Sequence, residues 1–280
     1  MQFETKQTDK STYQITATVP FAKLEEAKGH VLTHFKENAE IKGFRKGMAP
    51  MAEVEKAVDK GKLYGEIVNH LVPEAYSQAI KETHLKPIIS PRIQIKQFDY
   101  DTKKDLILEI TTCVKPEIKL PDYKNLKLPT KIIKPSDPSE PSLPSPEEKQ
   151  AQALQALLEK SEVTVPQLLV DEEVDRAMAS LVDRTAQLGL TPEQYLKSVG
   201  KTAEQLRAEY GQKANQSIKQ ELVLSEIAQI ETIKASDKEV ADMIKAAGDA
   251  KVQGELADPK HRPYIENVII KRKVLELIAK

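Results

Sequence analysis

One cysteine, Cys113, in 280 residues excludes an internal disulfide and any CxxC metal or redox site. Tryptophan is absent, only ten glycines occur, and aromatics make up 5% of the chain. Nucleotide and small-molecule pockets draw on glycine turns and aromatic walls, so this scarcity argues against both. No run of eighteen apolar residues occurs, so no membrane-spanning helix is expected. The opening MQFETKQTDK lacks the apolar stretch of a secretory signal. With a lone thiol, that points to a reducing, cytoplasmic compartment. GxSxG, GxxxxGK[ST] and HExxH are all missing, and no glycine-rich loop follows a strand. No catalytic residue and no cofactor is expected.

What is present describes a folded, charged chain of about two domains. Hydrophobic residues are 40% and charged residues 30%, enough for a core under a polar surface. The net charge of −1 conceals an asymmetry. Residues 1–134 hold 23 Lys and Arg against 18 Asp and Glu, while residues 135–280 hold 19 against 25. The first half suits a polyanion and the second is repelled by one.

Residues 1–8 read as an edge strand and 12–19 as a half-buried one, with Tyr13, Ile15, Ala17 and Val19 alternating with polar residues. Pro20 starts a helix whose apolar face carries Phe21, Leu24, Val31, Leu32 and Phe35. After a loop at 43–50, helices are expected over 51–58 and 62–83, the second kinked or split at Pro73. Strands over 88–98 and 104–114 close an α+β domain with an antiparallel sheet, residues 1–115. Residues 116–146 hold eight prolines, five of them within 135–146, and read as a semi-extended linker in which 125–133 can still pair as a strand. Residues 147–280 read as an all-α domain. Ser145 to Glu148 is a capping box with Pro146 at the first helical position, and Thr191 to Gln194, Thr202 to Gln205 and Ser236 to Glu239 repeat the device. The helices run over about 146–160, 166–188, 192–199, 202–230, 237–247 and 263–279.

His30 and His34 stand four apart on the first helix, a spacing that can put two imidazoles on one metal. No cysteine or third histidine lies near them in the chain, so they read as solvated and no metal site is expected. Acidic residues such as Asp171, Glu172 and Glu173 open a helix, where the dipole already favours them.

The segment that does not read as scaffolding is Gly43, Phe44, Arg45, Lys46, Gly47, Met48, Ala49 and Pro50. Two glycines bracket an aromatic and two cations at a tight turn between helices. Either Phe44 is presented to a partner beside two charge-assisted donors, or it folds back onto the helices and the cations are merely solvated. Both readings stay open on the residues alone.

This G-F-R-x-G-x-x-P loop, in an α+β domain about forty residues from the start, resembles the ribosome-docking signature of bacterial trigger factors. The likeness continues in Val165 to Glu173 (VPQLLVDEE), in 189–206 (GLTPEQYLKSVGKTAEQL) and in the S-D-K-E-V start at Ser236. Two departures stand out. Met48 occupies a position that is usually basic, which implies weaker or differently targeted docking. The family also usually inserts a prolyl-isomerase domain of the FK506-binding type before the helical domain, and here only the proline-rich segment stands in that place.

The resemblance implies an ATP-independent chaperone, a minimal form without isomerase activity. Gly43, Phe44, Arg45, Lys46, Gly47 and Pro50 would dock it on the large ribosomal subunit at the exit tunnel, against ribosomal protein and rRNA. The helical domain would shield unfolded nascent polypeptides. Candidate client-binding residues are Val170, Val174, Met178 and Leu181 on one helix and Leu222, Val223, Ile227 and Ile230 on another, with core packing between helices as the competing role for each. A homodimer off the ribosome stays open, as do two other readings: a prolyl isomerase, and a ribosome-independent holdase.

Overall fold

The computed structural model describes residues 1–280 except 39, 41, 42, 127–131, 135, 136, 143, 144 and 280; side chains of 132–134, 137–142 and 250 are likewise not described. The chain divides into two compact units, Met1–Lys115 and Pro116–Lys280.

In the first unit, β1 (Gln2–Asp9), β2 (Thr12–Val19), β3 (Arg92–Gln97) and β4 (Leu106–Cys113) form an antiparallel sheet in the order β1-β2-β4-β3. The alternation in β2 and β4 decides their faces. Ile15 pairs with Ile110, Ala17 with Leu108 and Val19 with Leu106, and all six are fully buried. Such cross-strand pairs are where a sheet gains its stability. The buried face is covered by α1 (Phe21–Asn38), α2 (Met51–Ala57) and α3 (Lys60–Thr83), so one core joins sheet and helices. α3 runs through Pro73 as one element rather than splitting there. Pro73 and Asn69, whose carbonyl loses its partner, are both exposed, so the interruption lies on the solvent-facing side of the helix. Tyr100 packs between Phe21 and Tyr64, at centroid distances of 5.2 and 5.1 Å. Its hydroxyl donates to Glu25, and burial first, then that carboxylate, push its ionisation upward.

The second unit is helical: α4 (Pro146–Lys160), α5 (Gln167–Gln187), α6 (Pro192–Val199), α7 (Ala203–Ile230), α8 (Asp237–Lys245), α9 (Ala250–Leu256) and α10 (Arg262–Ile278). All four capping boxes form with both of their hydrogen bonds. α9 has no counterpart in the sequence reading. Its core falls into three clusters. Ala153 and Leu157 of α4 meet Val223, Leu224 and Ile227 of α7 and Val274 and Ile278 of α10. Val170 and Val174 of α5 meet Ala214 of α7, and Val240 of α8 meets Ile265 and Ile269 of α10.

The proline-rich segment is not connector throughout. β5 (Ile118–Lys119) pairs with β8 (Glu162–Val163), and Ile118, Leu120, Tyr123 and Leu126 pack on the α4–α7–α10 cluster. The Tyr123 hydroxyl donates to Glu231 at 2.7 Å, and burial followed by that contact pushes the phenol up to about 12. β6 (Ile132–Lys134) pairs with β7 (Asp137–Ser142) where an unpaired, semi-extended chain is expected. The strand expected over 125–133 falls mostly on 127–131, outside the described residues.

Candidate docking loop and client surface

The loop at 43–50 is built from a fixed base and an open tip. Gly47 donates its N–H to the Lys36 carbonyl in the last turns of α1, at 3.2 Å. Met48 donates to the Arg45 carbonyl at 2.9 Å, closing a turn around Lys46. Ala49 is buried in the core, and the Pro50 carbonyl accepts from Glu53 and Val54 at the start of α2. Gly43 and Gly47 have φ of 88° and 81°, a region in which an L side chain is strained. An added Cβ would meet nothing within 4 Å at either position, so backbone conformation, not crowding, calls for glycine there.

Phe44 is 42% exposed at the tip and does not join the core, which leaves the presented reading of this residue standing. Arg45 and Lys46 are exposed, and neither makes an ion pair among the described residues. The tip also carries an element that the sequence reading counted only as a lost cation. Met48 is 72% exposed and Met51, at the start of α2, is 37% exposed. An aromatic, two unbranched thioethers and two exposed cations therefore share one short segment, the mixture of adaptable apolar surface and charge that suits a docking hot spot.

The client-binding candidates divide. Val170, Val174, Val223 and Ile227 are buried, filling the α5–α7 and α4–α7–α10 clusters, and offer no surface. A helical stripe that packs on a neighbour has the same spacing as one that faces solvent, so sequence alone does not separate them. Met178 is half-buried against the α5–α7 cluster, Leu181 and Leu222 are half-buried, and Ile230 is exposed.

Exposed apolar side chains in this unit concentrate elsewhere. Val182, Leu188, Leu190 and Val199 all fall within 182–199, around the turn between α5 and α6, and Leu188 is 76% exposed. The readable signal was two leucines flanking Gly189, whose φ of 72° forces a turn with no helix face to hide them. Along α4 and α7 there is also an open groove of about 700 Å³, lined by Ala151, Leu154 and Leu158 from one helix and Lys213, Gln216 and Gln220 from the other. No described helix is long and apolar enough to cross a membrane.

The family model for the bacterial trigger factor protein (TF) matches residues 1–139, and that for its C-terminus matches residues 145–280, leaving only 140–144 between them. The chain is 37% identical over 114 residues to a trigger factor of Staphylococcus epidermidis, covering 41% of this chain and 26% of that one. With a trigger factor of Staphylococcus aureus it shares 35% over 123 residues, 44% of this chain and 28% of that one. These alignments span little more than a quarter of the relatives' own length. A solved structure described under promiscuous substrate recognition by the trigger factor chaperone superposes with a TM-score of 0.70 at 13% identity, over 100% of this chain and 99% of that one, a likeness of fold. Two family models that follow one another along nearly the whole chain place it in the trigger factor family.

Proposed function

We propose that this protein is a cytoplasmic, ribosome-associated chaperone that works without catalysis. Gly43, Phe44, Arg45, Lys46, Gly47 and Pro50 form the docking loop, with Met48 added to it, and the partner is the large ribosomal subunit at its exit tunnel. One observation carries this reading: an exposed Phe44 stands beside two cations that make no ion pair among the described residues, on a tip whose base is held by the core and by α1. Phe44 and Met48 would enter an apolar crevice, while Arg45 and Lys46 meet carboxylates or rRNA phosphates through charge-assisted bonds.

The second unit, residues 116–280, is the client-binding part. A holdase needs apolar surface in a polar frame, adaptable to many sequences and requiring no reacting group. The exposed Val182, Leu188, Leu190 and Val199 supply that surface, with Leu181, Leu222 and Ile230 from the original set and the α4–α7 groove beside them. With only 140–144 between the two matched regions, there is no room for an isomerase domain inserted there, which supports a reading without proline isomerisation.

Cosedimentation of the full chain with ribosomes over a salt series tests the proposal. Binding that weakens as salt screens two cations is expected. Absence of binding at low salt, or binding indifferent to salt, contradicts the docking assignment.

A further inference from the structure

The helices behind the docking loop carry a side-chain cluster that neither docking nor client binding uses. α1 supplies His30 and His34, four residues apart, and α3 supplies Glu66 and His70, also four apart. Residues at that spacing lie on one helix face. Because α1 packs on α3, the two pairs meet: all four side chains line one open cavity of about 390 Å³, with Val31 and Asn69. The third histidine that the local sequence lacks arrives through the fold.

The rings of His30 and His70 lie 5.7 Å apart, centroid to centroid, with planes inclined by 35°. Two imidazoles bound through nitrogen at about 2.0–2.1 Å to one tetrahedral ion place their centroids about 5 Å apart, a separation close to that of this pair. As placed, no three His, Cys, Asp or Glu side chains among the described residues gather closely enough to hold an ion. Closing the set requires His34 and Glu66 to turn inward. Both are exposed, and neither side chain has a hydrogen bond or ion pair among the described residues to give up. Exposed side chains change rotamer in picoseconds to nanoseconds.

We infer that His30, His34, Glu66 and His70 form a binding site for one divalent transition-metal ion, Zn²⁺ or an ion of similar softness, bridging α1 and α3. The donor chemistry selects the class. Three imidazoles and a carboxylate suit zinc, nickel or copper, whereas calcium and magnesium call for an oxygen shell. The carboxylate of Glu66 opposes an anion in the same cavity. An ion held there joins the two helices directly, and α1 is also the helix whose Lys36 carbonyl holds Gly47 of the docking loop.

The test is calorimetric titration of the full chain with ZnCl₂ in a non-chelating buffer, paired with thermal unfolding. Saturable uptake of one ion per chain is expected. So is a rise of about 10 °C in the unfolding midpoint of the first unit at an ion concentration a hundred times the dissociation constant. The double variant His30→Ala/His70→Ala should lose both effects while its metal-free midpoint stays at the wild-type value, since both side chains are exposed. If that variant unfolds early, His34→Ala/Glu66→Gln removes the other half of the site and is read in the same way. Failure of the wild type to take up zinc overturns the inference. So does undiminished uptake by a folded double variant, which would place the ion at His84, His261 or Cys113 instead.

Discussion

The two units solve the same burial problem in different ways. In Met1–Lys115 a single core runs from the sheet through all three helices, and the central strand β4 contributes Leu106, Leu108 and Ile110, all fully buried. In Pro116–Lys280 the apolar residues are divided among three clusters, two of which hold only three fully packed residues each. α7 serves two of these clusters in turn, with Ala214 in one and Val223, Leu224 and Ile227 in another. The lesson concerns what each unit can expose. A unit with one dense core can carry a rigid loop on a fixed base. A unit of small clusters relies on its helix ends and leaves apolar side chains such as Leu188 and Leu190 uncovered, which is what a client surface needs.

Core truncation should separate the units most strongly. Ile110→Ala removes a fully buried side chain from the dense core and should cost about 2–5 kcal/mol in urea unfolding of the first unit. Val174→Ala, in a cluster that can collapse around the gap, should cost only about 1 kcal/mol in the second. Equal losses would mean that the helical unit is packed as tightly as the first. Cap removal should show the reverse dependence. Thr202→Ala deletes the side-chain acceptor at the start of α7 and should lower the stability of the second unit by about 1 kcal/mol, with no effect on the first.

Acid should distinguish them more gently. Hydrogen bonding to the Lys273 ammonium and to the Ser236 backbone and hydroxyl lowers the Glu239 carboxyl from 4.5 to about 2. A depressed carboxylate stabilises the fold above its ordinary value and loses that contribution as the pH falls toward the folded value. The second unit should therefore weaken between about pH 4.5 and pH 2, seen as a falling thermal midpoint. Glu239→Gln should flatten that part of the pH profile. An unchanged profile would remove the α8–α10 contact from the stability of this unit.

Much of this architecture was legible in the sequence because its signals are local. Alternation in 12–19 and 106–114 marked the two central strands, and four capping boxes placed four helix starts. Local signals failed where a neighbour decides the outcome. Val223 and Ile227 stay open between surface stripe and core until α4 and α10 are seen to cover them. Pro73 reads as a break until its helix face proves to be the solvated one. α9 is short and carries no sustained apolar period, so nothing announced it. In the docking loop the glycines and the Phe-Arg-Lys tip were readable, because turn chemistry is written in adjacent residues. The exposure of Met48 and the arrival of His70 opposite His30 were not, since both depend on packing between helices.

The central claim is that docking belongs to the first unit and client protection to the second. The replacement of Phe44, Arg45 and Lys46 together by alanine, in the full chain, tests it most directly. These residues are exposed and outside the core, so the thermal midpoint should stay at the wild-type value. The variant should lose cosedimentation with ribosomes at low salt while still suppressing aggregation of an unfolded client as the wild type does. Full ribosome binding by the folded variant, or loss of client protection along with binding, would contradict the account.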